Sequence, residues 1–150
     1  MQSIKDKVAI IGVGCTRFGE LWDKSFYDLV VDASYEAYED AGIKPEQIQA
    51  AWVGTGYGYH RGTALVPLHL GNIPISRLEN ACATGTDALR NAAYAVATGV
   101  YDIVLVVGVE KTKDYGFSGL PASPPSYAEV ALSHTRPATP MPTQFALLAN

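Results

Sequence analysis

Seven consecutive residues, Ile103-Val104-Leu105-Val106-Val107-Gly108-Val109, carry no polar side chain at all. A strand with one wet face alternates apolar and polar residues, so a run without alternation must be covered on both faces. Strands of that kind belong to mainly parallel sheets lying between layers of helices. This requirement narrows the chain to an α/β architecture. Three further runs fit the same sheet: Val8–Gly14, Ala50–Gly56 and Ile75–Glu79. The first two end in glycines, as a buried strand entering a turn does.

Helical signals lie between these runs. Ser25 and Asp28 form a capping-box pattern, and Phe26, Leu29, Val30, Ala33, Ala37 and Ala41 trace one helical stripe. Gly42 supplies a left-handed end and Pro45 prevents continuation. The acidic residues Asp28, Asp32, Glu36, Glu39 and Asp40 mostly take the opposite side and are expected to face solvent. A short helix is expected around Ala64–Leu70, with Pro67 near its start. From Cys82 to Thr98 the only charges are Asp87 and Arg90, which predicts a helix buried on nearly every face and closed by Gly99. Ligands of a layered α/β protein bind at the carboxyl ends of the strands, where Gly14, Gly56, Cys82 and Glu110 fall.

Composition limits what such a protein can do. The 150 residues suffice for one domain with its own core, and 48% hydrophobic with 17% charged residues describes a globular chain. A net charge of -4 without any basic run argues against nucleic acid or an anionic membrane as the main partner. Two distant cysteines, Cys15 and Cys82, make neither a disulfide framework nor a zinc site, and a reducing cytoplasm is the expected setting. The amino terminus does not read as a signal peptide, and no apolar run reaches membrane-spanning length.

The candidate for chemistry is Cys82, within Glu79-Asn80-Ala81-Cys82-Ala83-Thr84-Gly85. It stands at a strand-to-helix junction among small neighbours that leave a substrate room. The first turn of a helix presents unpaired N–H groups and a partial positive charge, which favour a thiolate. Free cysteines are often buried as small hydrophobes, and Cys15 is assigned that structural part. Gly12 and Gly14 suggest a dinucleotide turn, but Arg17 stands where the third glycine of that fingerprint belongs. Those glycines are better explained as relief of crowding at a strand end. His60 and Arg61, in the loop Tyr57–Gly62, are polar loop residues with no pattern of their own.

Beyond Glu110 the character changes. Six of the nine prolines, at 121, 124, 125, 137, 140 and 142, lie between Lys111 and Gln144. The expected organisation is an α/β core at 1–110, a proline-rich loop or lid at 111–144, and the start of a truncated helix at 145–150. A loop of that length inside a compact domain is usually functional, and Tyr115, Phe117, Tyr127 and Met141 give a lid apolar groups to lay over a substrate. The segment Phe145–Asn150 shows no closing cap, which points to a longer parent sequence.

Three stretches together resemble the thiolase superfamily: Ile10-Ile11-Gly12-Val13-Gly14 followed by Thr16-Arg17-Phe18-Gly19, the Cys82 elbow, and the strand ending Gly108-Val109-Glu110-Lys111. The likeness is to the branch of archaeal acetyl-CoA acetyltransferases and the thiolase domain of sterol carrier protein. It implies a layered αβαβα fold of two similar halves, with this chain covering most of the first, N-terminal half. It implies an acyltransferase in which Cys82 is acylated by an acyl-CoA thioester and its N–H contributes to an oxyanion hole, for 3-ketoacyl-CoA thiolysis or Claisen condensation. Coenzyme A thioester then enters as substrate, with no tightly bound cofactor and no metal, and residues binding it are not identified. The catalytic histidines and second cysteine of such enzymes lie in the carboxyl-terminal half, so His60, His69 and His134 receive no role. Expected partners are a second copy in a homodimer or larger oligomer, a small zinc-ribbon and OB-fold subunit, and a chain supplying the carboxyl-terminal half. Two other readings keep the fold: a carbon–carbon lyase acting on a β-hydroxyacyl-CoA, and a non-catalytic lipid-binding or scaffold subunit.

Overall fold

The computed structural model describes residues 3–56 and 64–115. Within the chain, residues 1–111 form one compact unit and 112–150 a second. The expectations for His60, Arg61 and His134, for the lid from residue 116 onward, and for the terminal helix lie outside the described residues.

The first unit is built on a parallel sheet of β1 (Ala50–Gly54), β2 (Ile75–Leu78) and β3 (Val104–Gly108), in the spatial order β2-β1-β3. Trp52 stands beside Ser76 on one side and Val106 on the other. The central strand is shielded as the sequence requires, its residues reading buried except for a half-buried Trp52. Helix α1 (Phe26–Ala41) opens with the full capping box, in which Ser25 Oγ accepts the Asp28 N–H and the Asp28 carboxylate accepts the Ser25 N–H. It closes at Gly42, left-handed at φ 66°, with the Ile43 N–H donating to the Tyr38 carbonyl. Helix α2 (Thr84–Ala97) ends in a Schellman arrangement: the Gly99 N–H donates to Val96 and the Val100 N–H to Ala95. Single turns of 3₁₀ helix occupy Pro45–Gln47, Val66–Leu68 and Ala81–Ala83. The second of these replaces the helix expected at Ala64–Leu70.

Side chains alternate across the sheet, and the two helices use different faces. Ala51, Val53, Leu105 and Val107 join Phe26, Val30 and Tyr38 of α1 and Leu65 and Leu68 in one buried cluster. On the other face Gly54 meets Thr84, the first residue of α2: a Cβ at Gly54 would stand 2.9 Å from the Thr84 methyl. The missing side chain lets the helix start directly above the end of the central strand.

Two expectations need correction. Residues 8–14 do not join the sheet. They run along α1, and the reason lies in Gly12 and Gly14: a Cβ at Gly12 would be 2.7 Å from Ala41 Cβ, and one at Gly14 would be 2.7 Å from Ala37 N. The glycines do relieve crowding, but against a helix and not in a turn. Two acidic residues given to solvent hold this segment in place, Asp40 accepting the Val13 N–H at 2.9 Å and Glu36 the Cys15 N–H at 2.8 Å. Cys15 itself is exposed. Helix α2, in turn, is buried only along Thr84, Ala88 and Ala92, while Leu89 and Tyr94 stay about half exposed at 46% and 49%. Within this unit the sheet covers one side of α2 and leaves the other side open.

Candidate active site

The carboxyl ends of the three strands meet at Gly54-Thr55-Gly56, and several main-chain and side-chain bonds lock that corner. Val109 N–H donates to the Gly54 carbonyl at 3.0 Å, and Thr55 N–H donates to the Leu78 carbonyl at 3.3 Å. Arg77, from β2, reaches across and donates from Nη2 to the Thr55 carbonyl at 2.8 Å. Glu110, just past β3, accepts the Gly56 N–H. A Cβ at Gly56 would lie 3.4 Å from a Glu110 carboxylate oxygen and 4.0 Å from one of Glu79, so two carboxylates converge on this glycine.

Above this corner the chain turns from β2 into α2 through Glu79–Ala83. Ala81 takes a left-handed conformation at φ 46°, uncommon for a residue with a Cβ and a form of local strain found at functional sites. Four hydrogen bonds hold it. Glu79 Oε1 accepts the Ala81 N–H at 2.7 Å, and Ala83 N–H donates to the Asn80 carbonyl at 2.9 Å. Thr84 Oγ1 accepts the Asn80 N–H at 2.8 Å and donates to the Ala81 carbonyl at 2.7 Å. Among the described residues these bonds engage the N–H groups of Asn80, Ala81 and Ala83 and pass over that of Cys82.

Cys82 sits at the centre of this turn, exposed and free, one turn ahead of α2 and not inside it. Its thiol is exposed; of the residues expected near the strand ends, Gly56 and Glu110 are hydrogen-bonded to each other, and Cys82 follows β2 in the turn after Leu78. Gly14 lies away from this corner, beside α1. His69 is exposed and left-handed at φ 49°, closing the Val66–Leu68 turn. Among the described residues no group of three histidine, cysteine or acidic side chains could hold a metal ion.

Sequence reasoning gave no role to Arg77, Glu79 and Thr84, which shape the site, although the last two lie within the Cys82 elbow. A signal was present in two of them: Arg77 and Glu79 put charges at the carboxyl end of a strand, where the ligands of a layered α/β protein bind.

The family model for the thiolase N-terminal domain matches residues 8–116. The acetyl-CoA acetyltransferase of Methanocaldococcus jannaschii is 46% identical over 114 residues, covering 71% of this chain and 29% of the relative. That of Methanothermobacter thermautotrophicus is 44% identical over 114 residues, covering 71% and 30%. This chain thus spans less than a third of the length of these relatives. Among solved structures, the Ltp2-ChsH2(DUF35) aldolase superposes with a TM-score of 0.64 at 22% identity, over 93% of this chain and 36% of that one. The elbow, the parallel sheet that carries it and the matched residues together place the chain in the thiolase family, within its N-terminal domain.

Proposed function

We propose that this chain carries the acyl-accepting cysteine of a thiolase-type acyltransferase working on acyl-CoA thioesters. The observation that supports it best is the strained, fully braced turn that presents Cys82 at the head of α2. In the reaction, the Cys82 sulfur forms a bond to the thioester carbonyl carbon, and the carbonyl electrons move onto oxygen. On this reading the Cys82 N–H, which the elbow's four hydrogen bonds do not engage, donates to that oxygen, a contribution of a few kcal/mol in comparable sites. As the carbonyl re-forms, the bond to coenzyme A breaks and its sulfur leaves, taking up the proton lost by the cysteine. The acyl group then passes from Cys82 to free coenzyme A or to a second acyl unit.

A nucleophile of this kind needs a base within hydrogen-bond reach, and a condensation needs a second acid/base group. Both belong, on this reading, to the part of the family's length that the chain does not span. The test is turnover of the complete assembly with Cys82→Ala. A loss of about a thousandfold or more is expected, on the scale seen when nucleophiles are removed. Activity that survives, with release of an aldehyde or ketone from a β-hydroxyacyl-CoA, would instead identify a lyase.

A further inference from the structure

Ala81 stands between two peptide groups, and a different side chain holds each of them. Glu79 Oε1 accepts the Ala81 N–H at 2.7 Å and fixes the Asn80–Ala81 peptide. Thr84 Oγ1 donates to the Ala81 carbonyl at 2.7 Å and fixes the Ala81–Cys82 peptide. A trans peptide is planar with its carbonyl and N–H on opposite sides, so the Cys82 N–H points away from Thr84. With both planes held, Ala81 stays at φ 46°, a region that disfavours a residue with a Cβ. The two holders differ. Thr84 is 9% exposed and also accepts the Asn80 N–H, so it belongs to the start of α2 as much as to the elbow. Glu79 is exposed, just past β2, and its Cγ and Oε1 lie 3.9 and 4.0 Å from where a Cβ at Gly56 would stand. Removing it takes a bond from the elbow and nothing from the buried apolar cluster.

We propose that Glu79 is a positioning residue for acyl transfer: it acts through Ala81, holding the left-handed turn that aims the Cys82 thiol and N–H at one thioester carbonyl. The inference rests on the reading of Cys82 as the acyl-accepting nucleophile. Glu79 touches neither the thiol nor the substrate in this role. Without its bond the Asn80–Ala81 peptide is free to turn, Ala81 relaxes toward the common backbone regions, and Cys82 rotates away from the direction the elbow gives it. Two consequences follow from chemistry alone. The Ala81 N–H needs an acceptor oxygen within reach and not a charge, so glutamine at this position serves and alanine does not. Glycine takes positive φ without the Cβ penalty, so Ala81→Gly makes the brace less necessary. A side chain that only kept the chain folded would show neither form of rescue.

The test is single-turnover acetylation of Cys82 in the complete assembly, followed by peptide mass spectrometry over a range of acetyl-CoA concentrations. Glu79→Ala is expected to lower the saturating rate about ten- to hundredfold, the scale of a misplaced reacting group. The half-saturating acetyl-CoA concentration should stay within about threefold of the wild type, because the lost interaction serves the reaction and not ground-state binding. Glu79→Gln, and Ala81→Gly added to Glu79→Ala, should each bring the rate back to within about threefold of the wild type. Acetylation of Glu79→Ala at the wild-type rate overturns the proposal, as does a loss that neither second variant restores. A Glu79→Ala protein without the wild-type thermal transition overturns it too, since the residue then serves the fold. A wild type that never carries acetyl on Cys82 is a different failure: it removes the acyl-transfer reading, and this inference with it.

Discussion

Thr84 is bonded to the residue it braces: its hydroxyl donates to the Ala81 carbonyl at 2.7 Å, and Ala81 is the left-handed residue immediately before Cys82. The same oxygen accepts the Asn80 N–H, so one side chain at the start of α2 closes the turn that presents the thiol. Thr84→Val keeps the shape and removes both bonds. It should lower unfolding free energy by about 1–3 kcal/mol, the usual net worth of two hydrogen bonds. The rate of Cys82 alkylation by iodoacetamide should change with it, which urea unfolding and peptide mass spectrometry read separately.

Glycines 14 and 85 should respond in opposite directions to alanine. Gly14 lies against α1, where a Cβ would be 2.7 Å from Ala37 N, so Gly14→Ala forces the segment off the helix at about 1–3 kcal/mol. Gly85 sits inside α2 with open space around its Cα, so Gly85→Ala should raise stability by about 0.5–1 kcal/mol. Chemical denaturation of the two variants checks the contrast.

Tyr38 is buried, its hydroxyl has no hydrogen-bond partner among the described residues, and burial, with Tyr35 nearby, pushes its pKa up from 10.0 to about 12. The folded state therefore favours the neutral phenol. Its contribution is fully present below pH 10 and is lost as pH rises through about 12. Tyr38→Phe should hold or raise stability at neutral pH, and should lessen the fall in thermal midpoint between pH 10 and 12.

Asp28 shows the reverse sign at the start of α1. The Ser25 backbone N–H, then its hydroxyl, hold the Asp28 carboxyl below its ordinary 3.8. The stability this bond supplies is present above that value and drains away as pH falls through the depressed folded value. Asp28→Asn should thus narrow the difference from the wild type as pH drops below about 4, a trend that thermal melts across an acid series can follow.

The sequence showed what local chemistry controls. The capping box at Ser25, the left-handed ends at Gly42 and Gly99, and the apolar runs of β1 and β3 follow from propensity and hydrophobic pattern, and all stand in the structure. Residues 8–14 share the pattern of a strand, yet strand pairing is a long-range event that composition does not encode, and they lie beside α1 instead. The same reasoning explains Glu36 and Asp40, whose backbone partners arrive from more than 20 residues away. The turn that carries Cys82 was legible because its small residues stand between a strand and a helix. Arg77, Glu79 and Thr84 were not, because each acts through a hydrogen bond to main chain that only the turn creates.

The most direct test of the central claim is peptide mass spectrometry of the complete assembly after brief exposure to acetyl-CoA and acid quenching. An acetyl group on the peptide containing Cys82, removed again by free coenzyme A, is the predicted result. Turnover with Cys82 never found acylated would contradict it.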